Sequence, residues 1–484
     1  MEEGPAGDMA SSDMTESRQT YDFLISTLTF IEADFWASVG RILRDKGYTI
    51  AFILFDEASR RVMTKNGFPH FNMHALTRDG KAQKPDRAEI EAYAQSFGVE
   101  NIRDLFIHET LAYHRKDEEA LARKAFTYLK ILEEILLSNT IKCVIQEMGG
   151  FAAYTCVYYG ARKHGIDHLF YEPACFPGRI VFNLNSFRSD IPLDMVQSVP
   201  SAGARAWAKR YLEDYLSKRA LVIPQKDRHL FADMTVGRMV NWFNAKRLGK
   251  KLLQKHIWGE REEFDELWGV FKFNVRKLVR RQFMGSLYSK FPETGRYVYY
   301  PLHVPHDVQL TVRSKLFYFQ EGIIEYLSRI LPLGYEVFVK EHPASVGALP
   351  VGGLKRLIRG RRNIKLLHPS INSFDIVKNA AAVVVINSKV GFEALMQGKK
   401  VVMLGEAFYR NKGLTVDVSD LRDLERVIGE ALDARGPEYE AIEDFVAKVH
   451  EWSHPGELFA MNETNHRNVA DAVLSHLSRC TASV

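Results

Sequence analysis

The sequence predicts an α/β protein of two Rossmann-like domains facing a central cleft, with a basic helical region between them and helices at the C-terminal end. Three observations carry this expectation. A chain of 484 residues exceeds what one hydrophobic core serves. Short β-rich runs alternate with helical patterns in both halves, the signature of parallel sheets. Polar residues then gather just after the strands of the second half, at the carboxyl ends where open α/β sheets bind ligands.

Composition sets the outer limits. With 46% hydrophobic and 26% charged residues the chain is an ordinary globular one, and most of it is expected to fold. Cys143, Cys156, Cys175 and Cys480 lack CxxC spacing, which fits neither a zinc knuckle nor a disulfide framework and points to a reducing compartment. No run of 18 apolar residues occurs. Residues 1–19 are small, polar and acidic without an apolar core, the pattern of a disordered leader rather than a signal peptide. The expected location is the cytoplasm, with peripheral attachment to the inner face of the cytoplasmic membrane as an extension of it.

The first domain is expected over 20–200. A strand at Tyr21–Phe30, an amphipathic helix at Ala33–Lys46 ended by Gly47, and a strand at Thr49–Phe55 make a β-α-β opening. Helices follow at Asp86–Phe97 and Asp117–Asn139, then a strand at Lys142–Gln146, a helix at Phe151–His164 and a strand at His168–Tyr171. Glu147 and Glu172 come directly after those two strands, where loops open toward the cleft. They are the candidate catalytic carboxylates; the plainer alternatives are a helix cap for Glu147 and a solvated loop residue for Glu172.

Residues 201–290 carry 20 Lys and Arg against 9 Asp and Glu, a local excess of +11 that leaves −6 for the rest of the chain. The pattern is helical, and Trp207, Trp242, Phe243, Trp258, Trp268 and Phe271 are interleaved with the cations. Such a region, expected to attach to the first domain, is either a solvated basic face, an anionic membrane surface or a nucleic-acid surface. No nucleic-acid motif supports the last, so no nucleic-acid partner is expected.

The second domain is expected over 291–435, with helices over 436–484. Its strands are Arg296–Tyr300, Glu336–Lys340, residues 363–367, Val383–Ile386 and Lys400–Leu404, and helix Phe317–Leu331 leads into the second of them. Helices are expected at Leu421–Arg435, Tyr439–Ser453 and Asn465–Ser478. His342 follows one strand in KEHP, and Asn387 and Ser388 follow the next in NSKVGFEAL.

These residues suit a phosphate-bearing donor. The first half has no GxGxxG and the chain has no P-loop lysine, which argues against a dinucleotide enzyme or a phosphate-binding ATPase. Asn387 and Ser388 can donate to an anion at a helix N-terminus, Lys389 stands in the same loop, and Gly391 permits close approach. Glu393 could bind a ribose diol or simply complement the helix dipole. His342 and Lys340 could steady a donor phosphate as charge develops on it, and His303 and Gln309 of the PLHVPHDVQL loop are counted with the donor-binding set. No His, Cys, Asp or Glu cluster has metal-ligand spacing, so a metal-independent mechanism without a cofactor is expected.

The second half resembles the capsule polysaccharide biosynthesis family of bacterial glycosyltransferases, the group that includes transferases of 3-deoxy-manno-octulosonic acid (Kdo). The residues are PLHVPHDVQL (301–310), VKEHP (339–343), INSKVGFEALMQGKKVVMLGEAFY (386–409) and GLT (413–415), with a weaker likeness at YEPACFPGRI (171–180). The resemblance implies the two-domain GT-B fold and transfer from a donor activated by cytidine monophosphate (CMP). It also implies His342, Asn387 and Ser388 at the donor, and acidic first-domain residues near the reacting carbon. His303 stands where such proteins often have Gln, and Glu172 is followed by Pro173 rather than Gly. The expected function is transfer of an acidic, Kdo-like sugar to a glycan or lipid-linked acceptor in surface polysaccharide synthesis. A sugar-nucleotide epimerase, a CDP-alcohol phosphotransferase and a non-catalytic membrane-peripheral assembly protein are the rival readings.

Overall fold

A computed structural model describes residues 18–79, 85–189, 191–192, 199–219, 263, 267–292 and 295–481. Most of the expected leader and, within the basic region, Trp242, Phe243 and Trp258 lie outside the described residues.

The first sheet contains β1 (Gln19–Thr27), β2 (Ile50–Leu54), β3 (His70–Asn72), β4 (Asn139–Glu147), β5 (Asp167–Pro173) and β6 (Arg179–Leu184). The second contains β7 (Tyr288–Ser289), β8 (Tyr297–Pro301), β9 (Glu336–Lys340), β10 (Ile364–Leu367), β11 (Ala382–Val385), β12 (Val401–Met403) and β13 (Val416–Asp417). A last strand, β14 (His454–Pro455), returns to the first sheet. The orders are β14-β6-β5-β4-β1-β2-β3 and β13-β12-β11-β8-β9-β10-β7.

Each order contains a Rossmann pattern. In the first sheet β3-β2-β1-β4-β5 is parallel throughout, with β6 and β14 added antiparallel. In the second, β10-β9-β8-β11-β12-β13 is the full six-strand order, extended by β7. The order reverses between β1 and β4 and again between β8 and β11. Those two switch points are where parallel sheets open a crevice at their carboxyl ends. Two such domains with helices between and after them form the expected GT-B architecture.

The strands are near-continuous hydrophobic runs because helices cover both faces. All of β2, β8, β11 and β12 is buried. β1 ends at Thr27 rather than Phe30 because Thr29 caps the helix Phe30–Asp45. Glu32 braces the cap, its N–H donating to Thr29 Oγ1 and its carboxylate accepting from Thr29 Oγ1 at 3.0 Å and from Leu28 N, one residue before the cap, at 2.9 Å.

Within the basic region, helix Ala202–Lys218 packs on both domains. It buries Ala204, Ala208, Leu212 and Tyr215, its Trp207 and Tyr211 meet Phe176 of the first domain, and it also lies against elements of the second domain and the helix Tyr439–Trp452. Trp207 stacks on His450 at 3.9 Å, Arg205 pairs with Asp444 at 2.9 Å and Arg219 with Asp375 at 3.3 Å. The apolar spacing fixed which face is buried, but nothing local to the helix specifies the partner.

Between the domains, residues 308–318 of the second press on the first. Thr311 Oγ1 lies 2.7 Å from His108 Nδ1, Lys315 pairs with Asp104 at 2.5 Å, and Tyr318 donates to Leu111 O at 3.0 Å.

Candidate active site

The second-domain side of the cleft is built on the loops after β8, β9 and β11. Gln320 clamps the first of them, accepting from His303 N at 2.7 Å and donating to His303 O at 3.2 Å. Asp307 caps the short turn of helix that follows, accepting from Gln309 N at 2.9 Å. After β11, Asn387 Nδ2 donates to Gln309 O at 2.7 Å and to Ser314 Oγ at 3.0 Å. Its Oδ1 is buried without a hydrogen-bond partner. Ser388 caps helix Lys389–Met396, accepting from Val390 N at 3.2 Å. The structure thus brings His303, Gln309, Asn387 and Ser388 together at the β8/β11 switch point, with His342 at the end of the neighbouring strand β9 and electrostatically within reach of His303.

Gly391 has a packing reason. A Cβ there would lie 2.3 Å from Tyr409 Oη and 2.9 Å from Val385 Cγ2, while Tyr409 donates to Ser388 O at 2.5 Å. The residue that would let a ligand approach also lets Tyr409 brace the loop.

Lys340 is buried, and its ammonium donates to Ile371 O at 2.8 Å. Burial brings it down to about 8, with Glu393 pulling the other way. Glu393 is buried too, and burial pushes its carboxyl up to about 7 against the pull of Lys389 and Lys340. Its Oε2 has no hydrogen-bond partner. Tyr211 and Tyr215 of helix Ala202–Lys218 cover it, together with Cys175 and Phe392. The position assigned to a ribose diol is thus roofed by a helix that was expected to belong to the first domain.

The first-domain side separates the two candidate carboxylates. Glu172 is held by Arg313 of the second domain through two bonds, Nη1 to Oε2 at 2.9 Å and Nη2 to Oε1 at 2.8 Å. Asn183 adds a third at 2.7 Å. Arg313 also donates to Phe187 O at 2.5 Å. Glu147 instead ends β4 at the first switch point, electrostatically coupled to Glu32. Burial and the Glu147 charge push Glu32 up to about 7, opposed by its hydrogen bonds. Tyr154 donates to the same Glu32 carboxylate.

Three functional-looking residues escaped sequence reasoning. Glu32 carried a usable signal, the Thr-x-x-Glu capping box at 29–32. Arg313 and Lys277 carried none: Arg313 meets Glu172 141 positions away, and Lys277 is one cation among many in a basic stretch. Among the described residues no group of three or more His, Cys, Asp or Glu is placed to hold a metal ion.

The fold is that of a GT-B protein, with the loops after β8, β9 and β11 converging at the switch point of the second domain. A family model described as capsule polysaccharide biosynthesis protein matches residues 238–426, which contain the loops after β8, β9 and β11. The chain is 35% identical over 133 residues to Protein FixF of Sinorhizobium fredii, covering 26% of this chain and 30% of that protein. It is 32% identical over 82 residues to the capsule polysaccharide modification protein LipA of Neisseria meningitidis, covering 17% of this chain and 12% of that one. The chain thus spans less than a third of the length of either curated relative. Among solved structures, KpsC of Thermosulfurimonas dismutans, a beta Kdo 2,4 transferase, is similar at 14% identity and a TM-score of 0.35 over 70% of this chain and 94% of that one. The architecture is established by the strand orders, not by that score. The chain is a distant relative of capsule-biosynthesis proteins.

Proposed function

We propose that this protein is a glycosyltransferase that moves an acidic, Kdo-like sugar from a CMP-activated donor to a glycan or lipid-linked acceptor in surface polysaccharide synthesis. The observation that carries the reading is the capsule-biosynthesis match over 238–426, which coincides with the loops that converge at the β8/β11 switch point. In this reading the nucleotide sits against the loop that begins at Asn387, and His342 and Lys340 face the donor phosphate. The bond from the anomeric carbon to the phosphate breaks with its electron pair leaving on phosphate, where those cations stabilise it. Glu147, on the opposite side of the cleft, takes the proton of the acceptor hydroxyl as the acceptor oxygen forms the new bond to the anomeric carbon and CMP leaves. Glu172, with both oxygens engaged by Arg313 and Asn183, holds the two halves in register.

Attachment to an anionic membrane surface is the second part of the proposal. Val275, Val279 and Phe283 are 37%, 50% and 62% exposed, four residues apart on helix Leu267–Met284, with Lys272 and Arg281 exposed beside them. An apolar stripe edged by cations suits the interface of an anionic bilayer. Among the described residues no helix is long and apolar enough to cross a membrane.

The test is incubation with CMP-linked and UDP-linked sugars, with and without a polysaccharide acceptor. Acceptor-dependent release of CMP is expected. An epimer formed from a sugar nucleotide with no acceptor present overturns the transferase reading.

A further inference from the structure

Helix Leu267–Met284 also has an inward face. Phe273, Lys277 and Arg280 follow the spacing of one helical stripe, with Arg276 exposed at its edge. The Phe273 ring stands edge-on to His306 of the second domain at 5.3 Å and tilted against His114 of the first at 6.4 Å. One turn on, Lys277 is only 8% exposed. Gly347, at φ +77°, permits the approach, because a Cβ there would stand 2.7 Å from Lys277 O. Arg280 fastens the contact by donating to Ala348 O at 3.0 Å.

We propose that this face is the third wall of the cleft, and that Lys277 with His303, His306 and His342 forms a receptor for an anionic group of the ligand, a phosphate or a carboxylate, that gains a proton when the anion binds. The inference rests on the reading of this edge as the donor half and adds to it the residues that recognise charge.

Two ring nitrogens, His303 Nε2 and His306 Nδ1, are buried without a hydrogen-bond partner, an arrangement that a ligand oxygen would satisfy. The groups around them are cationic or basic. His306 is electrostatically coupled to Lys277, His114 and His342, and also to His108. His303 faces His342, which in turn faces Lys340 and Lys277. His114 faces Arg276 and Arg280.

Glu341 is the carboxylate beside Lys277, and it is already engaged by Gly347 N at 3.0 Å and Tyr288 Oη at 3.3 Å. Burial raises it to about 7, which weakens it as a counter-charge at neutral pH. Burial lowers His303, His306 and His342 to about 4, helped by His342 at His303, by Lys277 first at His306, and by Lys340 and Lys277 at His342, so all three are neutral when no anion is present. An anion reverses the balance, favouring the protonated ring. Lysine and arginine at the same place disfavour a metal ion.

The test is isothermal titration calorimetry of the full chain at pH 6.5 in two buffers of different ionisation enthalpy. The ligands are inorganic phosphate, CMP, cytidine and free Kdo. For phosphate and CMP the measured heat should change with the buffer, reporting proton uptake, whereas cytidine should show none. Lys277→Met and His306→Gln should weaken phosphate and CMP by about tenfold each, with cytidine unaffected and unfolding still cooperative. His303→Gln, a milder change, should lower the uptake while keeping affinity for cytidine.

Uptake with Kdo but not with phosphate assigns the receptor to the sugar carboxylate. Uptake with phosphate but no affinity for CMP keeps the receptor and overturns the CMP-donor reading. Tight CMP binding with buffer-independent heat, unchanged in all three variants, overturns the receptor and leaves the donor reading standing.

Discussion

Arg313 and Glu172 form a two-pronged ion pair across the domain boundary, with side-chain exposures of 1% and 12%. Both charges are largely removed from water, so each depends on the other. Arg313→Met strips two charge-assisted hydrogen bonds from the buried Glu172 carboxylate. We expect a loss of about 3–5 kcal/mol in denaturant unfolding. The double variant Arg313→Met, Glu172→Gln should recover part of it, and simple additivity of the two losses would show that the pair is not coupled.

Glu147 and Glu172 should separate by phenotype. Glu147→Gln is expected to lower turnover by about 10²–10⁴ with the unfolding midpoint nearly unchanged. Glu172→Gln should lower the midpoint first, because it strips a charge from Arg313. Turnover measured beside thermal unfolding checks this, and full activity in Glu147→Gln removes that residue from the reaction.

Glu393 gives a pH signature. Its folded carboxyl stands at about 7 against an ordinary 4.5, so the folded state holds the proton more tightly than the unfolded chain. Its contribution is most favourable below the ordinary value and is lost as pH rises toward 7. Glu393→Gln imitates the protonated form. The variant should therefore gain stability over the parent at pH 8 and show no gain at pH 4, as read by melting temperature across that range.

Gly391→Ala forces a methyl group onto Tyr409, which is fully buried. A cost of about 1–3 kcal/mol is expected. Tyr409→Phe in the same chain removes the nearest atom and should restore part of the stability, measurable by urea unfolding.

The outward stripe of helix Leu267–Met284 is tested with vesicles. Sedimentation with anionic liposomes at low salt, weakened by Phe283→Glu and by raised ionic strength, is expected. Equal sedimentation with neutral liposomes would remove the electrostatic part of the proposal.

Much of the second domain could be read in the sequence because its strands are short β-branched runs bounded by polar loops. VFVK and AVVV were recognisable without any partner, and so were the loops that follow them. β6 and β13 were not, since RIVFNL and VD become strands only by pairing with β5 and β12. The attachment of helix Ala202–Lys218 was hidden for the same reason: four small or apolar residues on one face specify burial, not against what. The pairing of the strand-end residue Glu172 with Arg313, 141 positions away, has no local trace. Lys277 looked like one more cation in a basic stretch, and only the close approach at Gly347 distinguishes it.

β14 has a consequence for how the protein is made. It pairs antiparallel with β6 through His454 and Ile180, and helix Glu463–Thr481 then lies against helix Phe30–Asp45. The amino-terminal domain is therefore discontinuous, and a ribosome releases its edge strand only after the whole second domain has been translated. Fragments cut near residue 200 should be recovered as insoluble or chaperone-bound material, and circular permutation is a better route to an isolated first domain than truncation.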